Sequence, residues 1–187
     1  MKDTRYVVFD VETTGLSPGN GDRIIEIGAI AIENGIIVKE FDTLIDAGRA
    51  ITRLAQQVHG ITQDMLAGKP KPEEVMPAFA AFIHGSILVA HNAGFDMSFI
   101  RQEFHRHQLV FNHRYICTLE MSRRRYPNLQ NHKLETVYRH LMRTNGEMIR
   151  NGIAIPFCVP GTQRLQAHRA LDDARMVAAI WLAMEGK

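Results

Sequence analysis

Residues 6–45 read YVVFDVETTGLSPGNGDRIIEIGAIAIENGIIVKEFDTLI, and they decide the fold because three apolar segments alternate there with turn residues. The run Tyr6–Val11 is short and strongly apolar, which predicts a buried β-strand. Apolar residues alternate over Arg23–Glu33, which predicts a second strand. Asn34-Gly35 is the strongest short signal for a hairpin, so Ile36–Ile45 is predicted to return as a third strand. The chain therefore begins with an antiparallel meander.

Downstream of the meander, the sequence alternates between helical and extended patterns. Apolar spacing predicts helices over Thr52–His59, Glu73–His84, Phe95–His107, Thr118–Tyr126, Lys133–Met142 and Ala170–Met184, and strands over Ile87–Ala90 and Tyr115–Cys117. Proline is tolerated only near the first turn of a helix, so Pro77 predicts that the second of these helices begins late. Three strands followed by alternating helix and strand indicate an α/β fold around a mixed sheet. We expect residues 1–187 to form one domain.

The stretch 143–167 has no clear apolar period and contains several glycines and prolines. A loop of this length in a compact domain is usually functional or mobile. The short apolar piece Ile153–Ile155 offers an alternative, a small ribbon within the stretch.

The composition is that of an ordinary globular chain, with 45% hydrophobic and 22% charged residues among 187. A net charge of +2 permits nucleic acid as a partner without demanding it. Cys117 and Cys158 are far apart, which argues against a zinc site built from cysteines and favours a reducing compartment. No apolar run approaches the roughly 20 residues of a membrane span, and the N-terminus has no signal region. We therefore expect a cytoplasmic protein without a membrane segment.

Two acids stand close together on the first predicted strand. Asp10 and Glu12 are two residues apart, so their side chains point to the same face. Neighbouring carboxylates repel each other, and a bound Mg²⁺ or Mn²⁺ would remove that conflict because hard cations prefer carboxylate oxygen. The alternative is a pair of solvated acids at an exposed strand end. The apolar residues around them favour a site.

The remaining candidate residues each have an ordinary structural alternative. Asp96 and Asn92 suit a helix N-terminus, as a first-turn acid and a cap. Asp172 and Asp173 both fall in the first turn of the last helix, where a rotation of about 100° per residue prevents both from facing one site. Apolar periodicity does not choose between them. His168, just before that helix, suits a cap or the surface. Five other histidines are read as solvated surface: His105, His107, His113, His132 and His140.

Three segments together resemble the DEDDh family of 3′–5′ exonucleases, which includes the proofreading epsilon subunit of bacterial DNA polymerase III and RNase T. Residues 9–16, FDVETTGL, resemble its first motif, and residues 91–96, HNAGFD, its second. Residues 168–173, HRALDD, resemble its third, of form His-x-Ala-x-x-Asp. The segment Val58–Thr62 is also similar to a family segment. The resemblance spans roughly residues 5–184.

The resemblance implies a fold, a site and a role for each residue. It implies an RNase H-like α/β fold, with a central mixed five-stranded sheet flanked by helices. It selects Asp173 rather than Asp172, and it implies that Asp10, Glu12 and Asp173 hold a first metal ion while Asp10 bridges to a second. Asp96 would act on the second ion, and His168 would take the proton from the attacking water. The residues implied to bind the terminal nucleotide are Thr13, Thr14, Leu16, Val58, His59, Asn92 and Phe95.

The function that the resemblance implies is a 3′–5′ exonuclease that uses two Mg²⁺ or Mn²⁺ ions and releases nucleoside 5′-monophosphates. DNA with a free 3′ end is the favoured substrate. An exoribonuclease that trims RNA 3′ ends is the alternative enzyme, since the motifs handle phosphate, water and metal but not the sugar. A non-catalytic nucleic-acid-binding module is the alternative from another class. The run Arg123–Arg125 suits phosphate contacts but is more typical of a solvated helix face.

Two features depart from the family pattern. The chain ends at Lys187 without the extension that joins the polymerase subunit to its polymerase, so we expect an enzyme that acts outside a replicase. The stretch 143–167 is long for the family. We expect it to be a flap that carries His168 and becomes ordered when a nucleotide binds.

Overall fold

The structure of the protein is a computed structural model, and it describes residues 4–144 and 168–185. Its strands are β1 (Arg5–Thr13), β2 (Ile24–Glu33), β3 (Ile36–Leu44), β4 (Ile87–Ala90) and β5 (Tyr115–Cys117). They form a five-stranded sheet in the order β3-β2-β1-β4-β5. β1 and β3 run antiparallel to β2, whereas β4 runs parallel to both β1 and β5. The predicted mixed five-stranded sheet is confirmed.

The turn between β2 and β3 follows directly from its two residues. Asn34 and Gly35 have φ angles of 52° and 75°. Positive φ at both central positions is what a tight two-residue hairpin of type I′ requires, and asparagine and glycine adopt it at low cost. The predicted antiparallel meander is therefore confirmed at its turn as well as in its strands.

Helices cover both faces of the sheet. They are α1 (Arg53–His59), α2 (Gln63–Leu66), α3 (Pro72–Ile83), α4 (Gly94–Arg106), α5 (Thr118–Arg125), α6 (Leu134–Thr144) and α7 (Ala170–Glu185). On one face, Phe9 and Val11 of β1 pack in a buried cluster with side chains of α3 and α4. On the other face, Val8 packs with Val177 and Trp181 of α7. Alternate side chains of β1 therefore pack in two hydrophobic cores, one on each face of the sheet, and both faces are buried.

The final helix is positioned by contacts with the two central strands and with α6. α7 packs against β1 and β2, and small residues such as Ala174 and Ala178 let its backbone lie close to the sheet. On the other side of α7, its residue Ile180 packs against Val137 and Leu141 of α6. The N-terminal end of α7 is consequently held near the ends of β1 and β2.

The structure corrects one prediction about the helices and adds one helix that was not predicted. α3 begins at Pro72 and continues through Pro77, so the prediction that it begins late is wrong. Pro77 removes a donor to the carbonyl of Glu73, but both residues are exposed, so solvent can hydrate that carbonyl. The short helix α2 was not predicted, because four residues carry too little periodicity to be recognised.

The prediction that five histidines are solvated surface is wrong for most of them. His105 is exposed, but the other four are half-buried. The Nδ1 atom of His132 lies 3.0 Å from the hydroxyl of Ser122, and that of His113 lies 3.2 Å from the carbonyl of Ser86. These rings therefore join segments of the fold through hydrogen bonds.

Two expectations concern residues outside the described ranges. The predicted flap covers residues 143–167, and the alternative ribbon Ile153–Ile155 lies within that stretch. The first two residues of the stretch form the end of α6, and the structure does not describe residues 145–167. A membrane-spanning helix is absent from residues 4–144 and 168–185, since no helix there combines the necessary length with sufficient apolar character.

Candidate functional site

Three carboxylates meet where α7 begins against β1. Asp10 and Glu12 lie two residues apart on β1, and Asp173 lies in the first turn of α7. One ligand oxygen from each of the three residues lies within 4.8 Å of the other two. The approach depends on Gly28 of β2, because a Cβ atom there would overlap the backbone of α7 at Leu171. Glycine at position 28 thus allows α7 to lie close enough to the sheet for Asp173 to approach the two acids of β1.

Burial and mutual repulsion disfavour ionisation of these acids. Burial raises the pKa of Glu12 to about 8, and the negative charges of Asp173 and Glu26 add to the effect. Burial also raises the pKa of Asp10 well above its ordinary value, followed by the charges of Asp96 and Glu12. The pKa of Asp173 rises to about 7, again chiefly through burial. At neutral pH the cluster therefore retains protons unless a cation compensates its charge.

The donor set fits a hard divalent cation. Carboxylate oxygens are the ligands that Mg²⁺ and Mn²⁺ prefer. The Oδ1 atom of Asp173 is buried and has no hydrogen-bond partner among the described residues. Its Oδ2 atom accepts a hydrogen bond of 3.2 Å from the backbone N–H of His168. A buried oxygen left with free lone pairs, beside two further carboxylates, is a ligand that a cation would satisfy.

The structure separates the two adjacent aspartates of α7. Asp172 forms an ion pair with Arg175, with 3.1 Å between Oδ1 and Nη1. Asp173 instead joins Asp10 and Glu12. The choice that apolar periodicity left open is therefore made by the rotation of α7 against the sheet.

Asp96 lies beside the three carboxylates, in the first turn of α4. It is buried, and burial raises its pKa to about 7, although hydrogen bonds from its own backbone N–H and that of Val11 favour the ionised form. Among the charged neighbours of Asp10, Asp96 raises the pKa of Asp10 the most. Its oxygens are not part of the group of three within 4.8 Å.

His168 lies at the entry to α7 with an exposed side chain. Its φ angle of 65° is in the left-handed region, which is uncommon for a residue other than glycine. The hydrogen bond from its backbone N–H to Asp173 ties this conformation to the carboxylate cluster. The backbone of His168 is therefore placed by the same residue that belongs to the group of three acids.

A cavity of about 510 Å³ opens next to Glu12. Five residues implied to bind a terminal nucleotide line it: Thr13, Leu16, Val58, His59 and Phe95. Leu16 and Val58 are 78% and 55% exposed, so apolar side chains are presented to whatever enters. The cavity thus joins an apolar rim to the carboxylates.

Two of the implied nucleotide contacts do not line this cavity. The side chain of Thr14 is fully buried, and its hydroxyl accepts a hydrogen bond of 3.0 Å from the backbone N–H of Arg23 and lies 3.3 Å from Asp22. A threonine enclosed in this way stabilises the loop instead of presenting its side chain to a ligand. Asn92 is exposed with a φ angle of 58°, at the turn that leads into α4. The side chain of Thr14 is therefore enclosed, and the contact of Thr14 with a nucleotide stays a prediction.

His59 is held as a neutral ring. Its Nδ1 atom accepts a hydrogen bond of 3.0 Å from the backbone N–H of Ile61, so the proton resides on Nε2, which lies 3.2 Å from the carbonyl of Thr13 and donates to it. Burial lowers the pKa of His59. The ring therefore fastens the end of α1 to the end of β1 within the cavity wall.

Sequence reasoning missed several residues of the cavity wall. Leu54 is 71% exposed and lines the cavity with Ala55 and Thr52. The signal that could have identified Leu54 is its spacing of four from Val58, which places both on one face of α1. Asp22 was also missed, and it braces the loop by accepting a hydrogen bond of 3.0 Å from the backbone N–H of Ser17.

Comparisons with known proteins agree with this geometry. The model of the RNase T family, described as an exonuclease family, matches residues 7–148. The chain is 38% identical over 179 residues to DNA polymerase III PolC-type of Caldanaerobacter subterraneus subsp. tengcongensis, which covers 96% of this chain and 11% of that protein. It is 40% identical over 181 residues to the PolC-type polymerase of Thermotoga maritima, covering 96% and 12%. The chain thus spans about a tenth of the length of these relatives.

Solved structures show the same fold. Exonuclease X in complex with 5′ overhanging duplex DNA superimposes with a TM-score of 0.68 at 28% identity, covering 98% of this chain and 91% of that one. The E. coli ExoI–ssDNA complex, in its zinc-bound form, superimposes with a TM-score of 0.77 at 18% identity, covering 99% of this chain and 41% of that one. The second likeness is one of fold alone. The sheet is therefore of the RNase H-like type expected from the sequence.

Proposed function

This chain belongs to the DEDDh-type 3′–5′ exonuclease family, and on that premise we propose that it hydrolyses phosphodiester bonds at DNA 3′ ends with the help of divalent metal. The products would be nucleoside 5′-monophosphates. The observation that carries the proposal is the group of three carboxylates within 4.8 Å of one another, beside a cavity of about 510 Å³ with an apolar rim. The candidate metal ligands are therefore adjacent to a cavity that can accept the end of a nucleic-acid strand.

Asp10, Glu12 and Asp173 would hold a first Mg²⁺ or Mn²⁺ ion. Asp10 would also reach a second ion, with Asp96 acting on it directly or through water. Bound ions of this kind lower the pKa of the attacking water and stabilise the leaving oxygen. The buried Oδ1 atom of Asp173 without a hydrogen-bond partner among the described residues supports its role as a ligand.

His168 would take the proton from the attacking water. Imidazole is the side chain best suited to accepting a proton near neutral pH. Two observations support this role: the side chain is exposed and therefore accessible, and its backbone is tied to Asp173 by a hydrogen bond of 3.2 Å. Such general-base help contributes roughly 10²–10⁴ in rate.

The terminal nucleotide would lie in the cavity next to Glu12. Leu16, Leu54 and Val58 present apolar surface that can contact the base, while Phe95 and Thr13 line the same space. Because the cavity adjoins the carboxylates, the 5′-phosphate that joins the terminal nucleotide to the rest of the strand would lie at the metal ions. That arrangement favours cleavage at an end over cleavage within a strand.

DNA is the proposed substrate because the relatives point to it. The similar curated proteins are DNA polymerases, and the 28%-identical neighbour was solved with duplex DNA. The exoribonuclease alternative is an outcome of the test described next. A cytoplasmic location stays a prediction.

The test compares 5′-labelled DNA and RNA oligonucleotides of one sequence in Mg²⁺ or Mn²⁺. We expect the DNA to shorten stepwise from its 3′ end with release of monophosphates, and we expect chelator to stop the reaction. Asp10→Ala should abolish cleavage, while Asp172→Asn, which alters the neighbouring acid outside the cluster, should retain it. Faster loss of RNA would select the exoribonuclease. Binding of DNA without cleavage would select the non-catalytic module, and full activity of Asp10→Ala would refute the site.

A further inference from the structure

An ion pair between a half-buried arginine and a buried glutamate ties the start of α7 to β2. The guanidinium of Arg169 donates to Oε1 of Glu26 from Nη2 at 2.6 Å and from Nε at 3.0 Å. The Oε2 atom of Glu26 accepts a hydrogen bond of 3.0 Å from the backbone N–H of Ala170, the first residue of α7. Glu26 is 1% exposed, so it is a carboxylate fully removed from water and satisfied by these donors.

Glu26 therefore caps a helix to which it does not belong. The first N–H groups of a helix lack partners within the helix, and a carboxylate at that end satisfies one of them and interacts favourably with the helix dipole. Here the carboxylate comes from β2, 144 residues earlier in the chain. The cap consequently fixes where α7 starts relative to the sheet, rather than stabilising the helix alone.

The position of this pair matters because of its neighbours. Glu26 stands opposite Glu12 in the register of β1 and β2. Arg169 follows His168 directly and precedes Asp173 by four residues, and the backbone N–H of Asp173 donates to the Arg169 carbonyl at 2.9 Å. Glu26 thus belongs to the strand beside β1, which carries two of the proposed metal ligands. Arg169 lies in the chain between His168, the proposed base, and Asp173, the third proposed ligand.

The charge of Arg169 also balances the charge of Glu26. The negative charge of Glu26 raises the pKa of Glu12, and the positive charge of Arg169 lowers it. Loss of Arg169 alone would leave a buried, uncompensated carboxylate next to the cluster, which is costly. The pair therefore places a fifth acid near the site without adding net charge.

We propose that Glu26 and Arg169 are positioning residues, which hold His168 and Asp173 at the distance from β1 that metal binding and proton transfer require. This inference rests on the proposed function of the same site. Residues that orient metal ligands typically change activity or metal affinity by roughly 10–100-fold when they are replaced. A role in stability alone would instead lower the melting temperature without a selective effect on turnover.

The chain offers a matched control for that distinction. Arg175 also lies on α7 and pairs with Glu40 of β3, with 3.0 Å between Nη2 and Oε2. It joins the same helix to the same sheet but contacts neither His168 nor Asp173 through that pair. Arg175→Ala therefore reports what the loss of an ion pair between α7 and the sheet does away from His168 and Asp173, although it also removes the pair with Asp172.

The experiment measures kcat and KM on single-stranded DNA, and melting temperature with chelator and with Mn²⁺, for the full chain. We expect Arg169→Ala to lower kcat about 10–100-fold with KM within about twofold, and to reduce the rise in melting temperature caused by Mn²⁺. Arg169→Lys should recover part of the kcat, since it restores the charge but not the paired geometry. Arg175→Ala should leave kcat within about threefold of the parent, with the same Mn²⁺-induced rise.

The double variant Glu26→Gln/Arg169→Ala separates position from charge. If Arg169 only neutralises Glu26, removing both charges restores kcat, and the positioning role is overturned. If the pair positions α7, kcat stays low in the double variant. Should Arg169→Ala fail to fold, Glu26→Gln and Arg169→Lys give the same comparison against Arg175→Ala.

The outcomes distinguish this inference from the proposed function. A parent protein that does not degrade DNA would refute the proposed function, whereas the Mn²⁺-induced rise in melting temperature would still report the positioning of the ligands. A parent that degrades DNA, with Arg169→Ala equal to Arg175→Ala in both kcat and Mn²⁺ response, would overturn the inference alone.

Discussion

Asp10→Asn is expected to stabilise the metal-free protein at pH 8 while abolishing its activity. The ligand atoms of Asp10, Glu12 and Asp173 lie within 4.8 Å of one another. Two unit charges at about that distance repel by about 3.5 kcal/mol at an effective dielectric constant of about 20. Asparagine removes the two repulsions that involve position 10. Because partial protonation already relieves some of them, we expect a gain of about 3 kcal/mol, or about 6–12 °C in melting temperature for a chain of this size.

The gain should depend on pH in a definite direction. The folded-state pKa of Glu12 is about 8 and that of Asp173 is about 7, both above their ordinary values. Between an unfolded-state pKa of about 4 and these values, the folded protein binds more protons than the unfolded one, so the free energy of unfolding falls as pH rises. The cluster therefore destabilises the metal-free parent more at pH 8 than at pH 5. The advantage of Asp10→Asn should shrink accordingly at pH 5.

Divalent metal should remove most of the stability advantage of Asp10→Asn. A ligand at about 100 times its dissociation constant adds about 2.7 kcal/mol to the free energy of unfolding. The parent should gain this stabilisation from Mn²⁺ at pH 8, whereas Asp10→Asn, which lacks a ligand, should gain much less. Thermal unfolding followed by circular dichroism, with chelator and with Mn²⁺ at both pH values, measures these differences.

Asp172→Asn is the matched control, since it removes an adjacent acid that pairs with Arg175 instead of joining the cluster. We expect it to melt no higher than the parent in chelator. If Asp10→Asn melts at or below the parent in chelator at pH 8, or if its advantage is the same at pH 5, the reasoning about repulsion within the cluster is wrong.

Three further predictions concern the parts of the site. Gly28→Ala should destabilise the protein by about 3 kcal/mol or more, because its Cβ would overlap the backbone of α7, while Gly94→Ala, with open space around it, should leave the melting temperature unchanged or higher; equal melting of the two variants would contradict this. Leu54→Ala should raise KM for DNA about 5–30-fold, as about 1–2 kcal/mol of apolar contact is lost, with Val110→Ala, also exposed but outside the cavity, as the control; unchanged KM would remove Leu54 from the nucleotide pocket. His168→Ala should lower kcat about 10²–10⁴-fold with little change in melting temperature, and added imidazole should restore part of the rate; a kcat within tenfold of the parent would exclude His168 as the base.

Local sequence signals were sufficient for the sheet. The pair Asn34-Gly35 can adopt positive φ cheaply, so it specified the hairpin between β2 and β3. The predicted strands Ile87–Ala90 and Tyr115–Cys117 match β4 and β5 in their bounds. The segment Ile87–Ala90 is short and apolar and lies between Gly85 and Asn92, which makes its ends easy to recognise.

Tertiary context overrode local signals elsewhere. Pro77 disfavours a helix interior, but the packing of Phe79 and Ile83 into the core keeps α3 intact around it. His132 is half-buried and lies in hydrogen-bond reach of Ser122, although its sequence neighbours are polar. Neither outcome could be deduced from a window of a few residues, because the stabilising partners come from other elements.

The candidate site divides in the same way. Spacing alone placed Asp10 and Glu12 on one face of β1, but it could not choose between Asp172 and Asp173. The structure shows which aspartate of α7 turns toward β1, through packing of the helix on Gly28 and the cap from Glu26. The roles of these residues in hydrolysis stay predictions for the variants described above.

By itself, the sequence determined the order of strands and helices and the chemistry available, since apolar period, turn residues and carboxylate types are local properties. Only the tertiary structure decided which acids meet, which side chains line the cavity, and that Thr14 is enclosed while Leu54 is presented. The physical reason is that these outcomes depend on distances between residues far apart in the chain. Asp10 and Asp173 approach because a helix packs directly on a strand with no side chain in between, which no local pattern records.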